Sequence, residues 1–205
     1  MKLLFVNQYY WPDAAATAQQ MSDLAEWLVE QGHEVQILCS RGAYESASRT
    51  NDEQQTRAAR QIHKGVHIRR LGAPGLGKKS TLSRIIDYAG FHLLCGLWML
   101  LFAWRYRVIV TLTTPPLIGM YATLIRRLSF GRVRHVTWVM DLHPDCEFEL
   151  GIWSRRNPLF ALLGWLNDSH FRHAHCNVAL GPAMKSRLAD KHIPTERIKV
   201  IGVWA

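Results

Sequence analysis

The strongest constraint on the fold is a regular alternation of short apolar runs with longer amphipathic segments. The runs predict strands at residues 3–6, 34–39, 65–71, 108–112, 133–140, 176–180 and 197–201. The longer segments predict helices at residues 14–31, 80–104, 115–128, 157–173 and 183–191. This alternation is typical of an α/β fold, here a Rossmann-like, doubly wound parallel sheet. The third strand is more polar, so we expect it at a sheet edge, after a polar loop or short helix at residues 43–64.

Charge is distributed unevenly along the chain. The 205 residues hold 25 Lys and Arg against 16 Asp and Glu, a net charge of +9. Residues 41–84 carry ten basic and three acidic residues, and residues 105–134 carry six arginines and no acid. Such local positive fields favour phosphates, nucleic acid or an anionic membrane surface. Nucleic acid is not expected, because aromatics do not interleave with the basic residues and no recognition helix stands out.

Cysteine spacing bears on the compartment. Cys39, Cys95, Cys146 and Cys176 lie far apart and form no CxxC pair. This spacing excludes a disulfide scaffold and a zinc ribbon, and it indicates a reducing compartment. The apolar run after Lys2 is too short for a signal peptide and is interpreted as a strand.

Residues 85–104 form a mostly apolar segment of membrane-spanning length. We interpret it as a buried helix of the α/β core, because Asp87 and His92 interrupt it. The alternative is a helix lying against a bilayer, with Arg84, Arg105 and Arg107 as interfacial anchors. A full span is the least favoured interpretation, since a predicted strand follows at once.

Candidate binding residues follow two of the predicted strands, because ligands of parallel sheets bind at the carboxyl ends of strands. After the first strand, the segment Asp13, Ala14, Ala15, Ala16 and Thr17 leads into a helix. The free N–H groups of that helix start predict an anion site, and Asp13 is expected to cap the helix. After the buried strand at 133–140, Asp141 and His143 are candidates for general acid–base or hydroxyl-orienting chemistry.

Two further motifs are weaker. Residues 72–81 (GAPGLGKKST) resemble a P-loop, but Lys79 stands where the magnesium-binding hydroxyl is required, which favours a basic surface loop. His170, His173, His175 and Cys176 lie close in sequence. No carboxylate is placed to orient them, so a basic helix end is favoured and no metal site is predicted.

Taken in order, the motifs resemble the N-terminal half of family-4 type glycosyltransferases of the GT-B fold. The likeness is greatest to the bacterial enzymes of capsule, colanic acid and O-antigen synthesis. The matching segments are LFVNQYYWPDAAATAQ (4–19), LAEWLVEQGHEVQILCS (24–40), VTLTTPP (110–116), WVMDLHPDCEFELG (138–151) and RIKVIGVWA (197–205), with further likeness at 41–44, 65–91 and 178–188. They cover nearly the whole chain in a consistent order.

This resemblance implies a retaining, metal-independent enzyme whose N-terminal domain binds the acceptor and whose C-terminal domain binds most of the nucleotide-sugar. The nucleotide-sugar is then a co-substrate, and no cofactor is expected. The segment 13–17 would approach the donor diphosphate through backbone amides, although relatives usually carry glycine where Ala15 stands. Asp141, with His143 beside it, takes the place of the family's functional polar residue. Arg41 and Tyr44 are expected to contact substrate or phosphate.

Acceptors of such enzymes are usually polyprenyl-diphosphate sugars. The resemblance therefore implies that Arg69, Arg70, Lys78, Lys79 and Arg84 face the lipid-linked acceptor and an anionic membrane. It also predicts a peripheral cytoplasmic location at the inner face of the plasma membrane.

The resemblance also makes residues 1–200 the acceptor-side domain and residues 201–205 the start of an interdomain linker. The C-terminal donor domain is then absent, and the chain is expected to be inactive alone. The alternative is an acceptor-binding subunit of a split transferase, which works with a separate donor-domain chain.

Overall fold

A computed structural model describes residues 1–41, 58–72, 81–152, 154 and 156–203, with the side chains of residues 81–87 not described. The chain separates into two compact units, Met1–Ile109 and Val110–Ala205. Each unit combines strands and helices. The predicted boundaries at 1–200 and 201–205 remain a prediction.

In the part of the first unit that the structure describes, four strands lie in the order β3-β4-β2-β1. They are β1 (Lys2–Val6), β2 (Glu34–Ser40), β3 (Arg60–His63) and β4 (Val66–Leu71). β1, β2 and β4 run parallel, whereas β3 is antiparallel to β4. β4 therefore lies between two strands, and the expectation that it forms an edge is wrong. The prediction of a loop or short helix over residues 43–64 is wrong for its last part, because Arg60–His63 form β3.

A two-residue turn joins β3 to β4 and explains this edge. Lys64 and Gly65 both have positive φ, 46° and 78°, which matches the twist of a tight hairpin. A Cβ at Gly65 would lie 2.7 Å from Cγ1 of Val29, so a larger residue would clash with the first helix. Glycine is required here for both backbone conformation and packing.

The described residues of the first unit form two helices. These are α1 (Ala16–Glu30) and α2 (Thr81–Phe102), the latter followed by a 3₁₀ turn (Ala103–Arg105). α1 buries Ala18, Met21, Ser22 and Ala25, which share one helical face. Its N-cap is Ala15, with no side-chain capping bond, so the cap predicted from Asp13 is wrong. The chain stays extended through Ala15, and Asp13 lies outside the first helical turn.

The second unit contains β5 (Val108–Leu112), which begins just before the unit boundary, and three more strands. These are β6 (Arg134–Trp138), β7 (Cys176–Ala179) and β8 (Ile198–Val200), in the order β5-β6-β7-β8. β6, β7 and β8 run parallel. The helices are α3 (Gly119–Leu128), α4 (Asp145–Glu149), α5 (Pro158–His173) and α6 (Pro182–Asp190).

Local signals set some of these boundaries and not others. Asn157 caps α5 by accepting a hydrogen bond from the Leu159 N–H at 2.9 Å, with Pro158 in the first turn. α3 does not begin at residue 115 as predicted, because Leu117 adopts a left-handed φ of 67° and the helix starts only at Gly119. The short helix α4 was not predicted.

The core of the second unit is apolar and continuous. It contains Val139, Leu142, Phe171, Ala179, Leu188, Ile193 and Ile198. These residues come from the strands, from α5 and α6, and from the connections that hold Val139, Leu142 and Ile193, so burying them fixes the helices against the strands. With mostly parallel strands and flanking helices, the predicted α/β, Rossmann-like class is confirmed.

Candidate functional site

The segment between β1 and α1 is the first candidate region. Asn7 lies just after β1 and is buried, and its side-chain amide donates to the Tyr9 carbonyl at 2.7 Å. The Asp13 N–H donates to the Tyr10 carbonyl at 3.1 Å. These bonds fold residues 7–13 into a compact turn, which places the predicted phosphate-binding residues at the start of α1.

The buried side chain of Arg70, on β4, binds the backbone of this segment. Only 3% of Arg70 is exposed. Its guanidinium donates to the Trp11 carbonyl at 2.6 Å and to Cys39 Sγ at 3.2 Å. The Trp11 ring stacks on His63, with ring centroids 3.8 Å apart. The expectation that Arg70 faces a membrane is therefore not met, because its charged group is used inside the unit.

We expect Arg70→Met to destabilise the first unit by about 1–3 kcal/mol, because the partly buried Trp11 carbonyl loses its charged donor. Urea unfolding followed by tryptophan fluorescence measures this. Arg69→Met is the matched control: Arg69 is only partly buried, over the Trp98 ring at 5.4 Å, and its loss should cost well under half as much. Equal effects of the two substitutions would contradict the assigned role of Arg70.

The start of α1 has the properties of an anion site. Ala14 and Ala16 are exposed, Thr17 is partly exposed, and Asp13 and Ala15 are buried. Ala15 offers no capping side chain, and the Ala18 N–H already donates to the Ala15 carbonyl at 2.8 Å. The first-turn N–H groups of Ala16 and Thr17 are therefore the ones that an external anion would bind. Phosphate binding by this backbone remains a prediction, with Asp13 set back from the surface.

The other predicted phosphate and acceptor residues fall into three groups. Arg41 directly follows β2 and is partly exposed, at the same strand ends as the segment after β1. Arg69 is half-buried, and burial together with the neighbouring Arg60 and Arg105 lowers its pKa. Tyr44, Lys78 and Lys79 lie outside the described residues, as does the P-loop-like segment at 73–80, and the Arg84 side chain is not described.

In the second unit, Thr113 organises the carboxyl ends of β5 and β6. Its Oγ1 accepts hydrogen bonds from the Met140 N–H at 3.1 Å and from the Asp141 N–H at 3.0 Å. Thr113 is buried, whereas Asp141 is exposed. The backbone of Asp141 is thus fixed while its carboxylate faces outward, which is what a residue that orients a substrate hydroxyl requires.

His143 forms a pair that the sequence did not indicate. Its Nδ1 lies 2.5 Å from Glu147 Oε1, one helical turn later on α4. A carboxylate only accepts hydrogen bonds, so Nδ1 of His143 is the donor in this pair. The Asn167 side chain donates to the His143 carbonyl and holds the backbone. Glu147 could have been found from its i, i+4 spacing only if α4 had been predicted.

The histidines near the end of α5 do not converge on a metal. His170 is buried, His173 bonds the Ser169 carbonyl at 2.6 Å, and His175 is exposed. Among the residues that the structure describes, no three His, Cys, Asp or Glu side chains are placed to hold a metal ion. Burial lowers the pKa of His170 to about 3, so this histidine is neutral and belongs to the core.

Helix α2 is only half-buried, which corrects its interpretation as a core helix. Phe91, Cys95, Trp98 and Met99 are buried. Leu93, Leu97 and Leu101 are exposed and form one stripe, Leu93 being 70% exposed. We call this stripe the leucine ridge. None of the helices in the described part of the chain is long and apolar enough to cross a bilayer.

Arginine and aromatic side chains flank the C-terminal end of the leucine ridge. The Arg105 guanidinium lies 5.5–5.8 Å from the ring centroids of Trp98, Phe102 and Tyr106. Such stacking holds the charge beside an exposed apolar surface. This combination agrees with the alternative in which α2 lies against a bilayer.

A family model, the glycosyl transferase 4-like domain, matches residues 16–204. Among solved structures, HepE of Anabaena in complex with UDP-glucose is similar, at 15% identity and a TM-score of 0.52, over 98% of this chain and 43% of that chain. Sucrose-phosphate synthase of Thermosynechococcus elongatus is 12% identical at a TM-score of 0.64, and the match covers 100% of this chain and 48% of that chain. The lipopolysaccharide outer core galactosyltransferase WaaB, in its apo form, is 12% identical at a TM-score of 0.50. That match covers 100% of this chain and 46% of that chain. No curated protein sequence matches significantly.

Proposed function

Since this chain belongs to the glycosyl transferase 4-like family and has the Rossmann-like fold of GT-B enzymes, we propose that it is the acceptor-side domain of a retaining glycosyltransferase. The enzyme would move a sugar from a nucleotide-sugar to a lipid-linked saccharide during surface polysaccharide synthesis. The observation that carries this proposal is Asp141, whose backbone is fixed by Thr113 while its carboxylate faces outward. An acceptor hydroxyl could donate to that carboxylate.

A nucleotide-sugar donor is supported by both comparison and geometry. The HepE structures contain UDP-glucose or UDP. In this chain the start of α1 suits a diphosphate, because the helix dipole and the first-turn N–H groups of Ala16 and Thr17 both favour negative charge. Arg41, which follows β2 and is partly exposed, adds a cation at the same strand ends.

The chain spans less than half the length of the similar structures, from 43% to 48%. We propose that the remaining half of the enzyme, on a longer chain or a separate subunit, supplies the donor domain. The 205-residue chain then binds the acceptor but does not turn over alone.

A peripheral location at the inner face of the plasma membrane is part of the proposal. The leucine ridge of α2 exposes apolar area that water does not favour, and the Arg105 cation beside it suits lipid phosphates. A lipid-linked acceptor would lie in that same bilayer.

Acceptor binding by the purified 205-residue protein tests the function. Calorimetric titration with a short-chain polyprenyl-diphosphate saccharide should show saturable binding, and the same saccharide without the lipid diphosphate should bind far more weakly. Mixing the protein with UDP- and GDP-sugars and this acceptor should give no transfer. Failure to bind any member of a panel of such acceptors would contradict the acceptor-side role, and turnover by the chain alone would contradict the need for a donor domain.

A further inference from the structure

The turn after α3 exposes an aromatic side chain in an unfavourable backbone conformation. Phe130 is 96% exposed and has a left-handed φ of 51°. Bulky residues rarely adopt this region, because it costs free energy that glycine or asparagine would avoid. Leu124 and Leu128, one helical turn apart on α3, are also exposed. Neither the backbone nor the burial of apolar area explains a phenylalanine here.

The backbone of this turn is well ordered by hydrogen bonds. The buried Ser129 hydroxyl donates to the Arg126 carbonyl at 2.9 Å and accepts from the Val133 N–H at 3.2 Å. The Phe130 N–H donates to the Arg127 carbonyl at 3.1 Å, and the Gly131 N–H to the Arg126 carbonyl at 3.0 Å. Phe130 is therefore held outward by a fixed turn. We call residues 128–132 the Phe130 turn.

Positive charge surrounds the Phe130 turn. Arg127, Arg132 and Arg134 are exposed, and the sequence has no acidic residue from 105 to 134. The positive potential extends to His175, just before β7: partial desolvation of this exposed histidine lowers its pKa, and so do Arg134, Arg126 and Arg197. The exposed Phe130 side chain is complementary to lipid tails, and the arginines close to it are complementary to the anionic headgroups above those tails.

We propose that the Phe130 turn is a membrane-docking element: Phe130, with Leu124 and Leu128, enters the interface of an anionic bilayer, and Arg127, Arg132 and Arg134 bind lipid phosphates. The proposal rests on the membrane location put forward above and names a contact in the second unit. A bilayer is favoured over nucleic acid because two of the three apolar residues are leucines, which cannot stack on bases. It is favoured over a protein partner because three apolar side chains form too small a surface for a stable interface.

Vesicle sedimentation of the 205-residue protein tests this proposal. The vesicles are phosphatidylcholine alone, or equal parts of phosphatidylcholine and phosphatidylglycerol, at low and high salt. Wild type should bind the anionic vesicles, with affinity that falls as salt rises. Phe130→Asn should weaken binding about tenfold or more through lost apolar insertion. It should leave the melting temperature unchanged or raised, because asparagine tolerates the left-handed region. Phe130→Trp should retain binding.

The charge contribution is tested separately. Replacing Arg127, Arg132 and Arg134 by glutamine should weaken binding about a hundredfold, from roughly fivefold per arginine. Trp27→Ala is the matched control, because Trp27 is an exposed aromatic on α1 beside Glu26 and Glu30, and its loss should leave binding unchanged.

Three outcomes would overturn the proposal. In the first, Phe130→Asn binds anionic vesicles like wild type, whereas a triple serine variant of the leucine ridge does not bind them. The protein would then bind membranes through the leucine ridge and not through the Phe130 turn. Phe130→Asn could abolish a dimer seen by light scattering, which would make the turn an interface between copies. Neutral and anionic vesicles could be bound equally at all salt concentrations. Acceptor titration is independent of all three, so failure of the proposed function is recognised separately.

Discussion

Asp141→Asn is expected to lower kcat of the complete transferase by about 100- to 10,000-fold, the range for loss of a positioned acid–base group. The amide keeps the size of the side chain but cannot accept a proton. The fold should be retained, because the Asp141 N–H keeps its bond to Thr113 and the side chain is exposed. KM for the acceptor should change much less than kcat.

The measurement is steady-state sugar transfer with the donor domain supplied, on the same chain or as a partner subunit. Glu149→Gln is the matched control: Glu149 is an exposed carboxylate on α4 that pairs with Arg187 at 2.5 Å and does not lie at a strand end. It should keep kcat within about twofold. An Asp141→Asn enzyme with wild-type kcat would remove Asp141 from the chemistry and leave the His143–Glu147 pair as the remaining candidate.

Acid is expected to destabilise the second unit steeply because of its buried histidines. His135 is held by Thr111 at 2.9 Å and Thr123 at 3.1 Å, and burial lowers its pKa well below the ordinary value. His170 lies beside Gly119, where a Cβ would come within 2.7 Å of the imidazole ring, and its pKa falls to about 3. Both rings are neutral when the protein is folded.

Proton linkage determines in which direction the free energy of unfolding changes with pH. As pH falls below 6.5, the ordinary histidine pKa, the unfolded chain binds a proton that folded His170 does not bind until near pH 3. The free energy of unfolding therefore falls by about 1.4 kcal/mol per pH unit across this window, about 5 kcal/mol in all for His170. His135 adds to the loss. Above pH 6.5 these two histidines should give no slope.

Urea unfolding at a series of pH values from neutral to acid measures this slope. His170→Phe keeps an aromatic ring but removes the proton-binding group, so its unfolding free energy should depend on pH less steeply than that of wild type. His67→Gln, at an exposed position, should keep the wild-type slope. Equal slopes for wild type and His170→Phe would contradict the assignment to His170.

Candidate site residues could be predicted from the sequence where they follow a strand that the apolar pattern indicates. Asp141 was proposed because it directly follows a predicted buried strand, and the segment 13–17 was proposed because it joins a strand to a helix; both stay predictions. Glu147 was missed because α4 has only five residues, too few for a periodic apolar pattern. The role of Arg70 was misassigned because a strand arginine is exposed by default, and only the Trp11 carbonyl and Cys39, distant in sequence, explain its burial.

The sequence by itself determined the order of the described strands and helices other than β3 and α4, the α/β class and the family, because apolar periodicity and short motifs are local properties. Tertiary structure alone decided that β3 closes the sheet edge, that His143 pairs with Glu147, and that the leucine ridge and Phe130 face outward. These features depend on which surfaces meet after the chain folds. Hydrophobicity predicts that an apolar residue will be buried, but only the packing of its neighbours shows which ones remain uncovered.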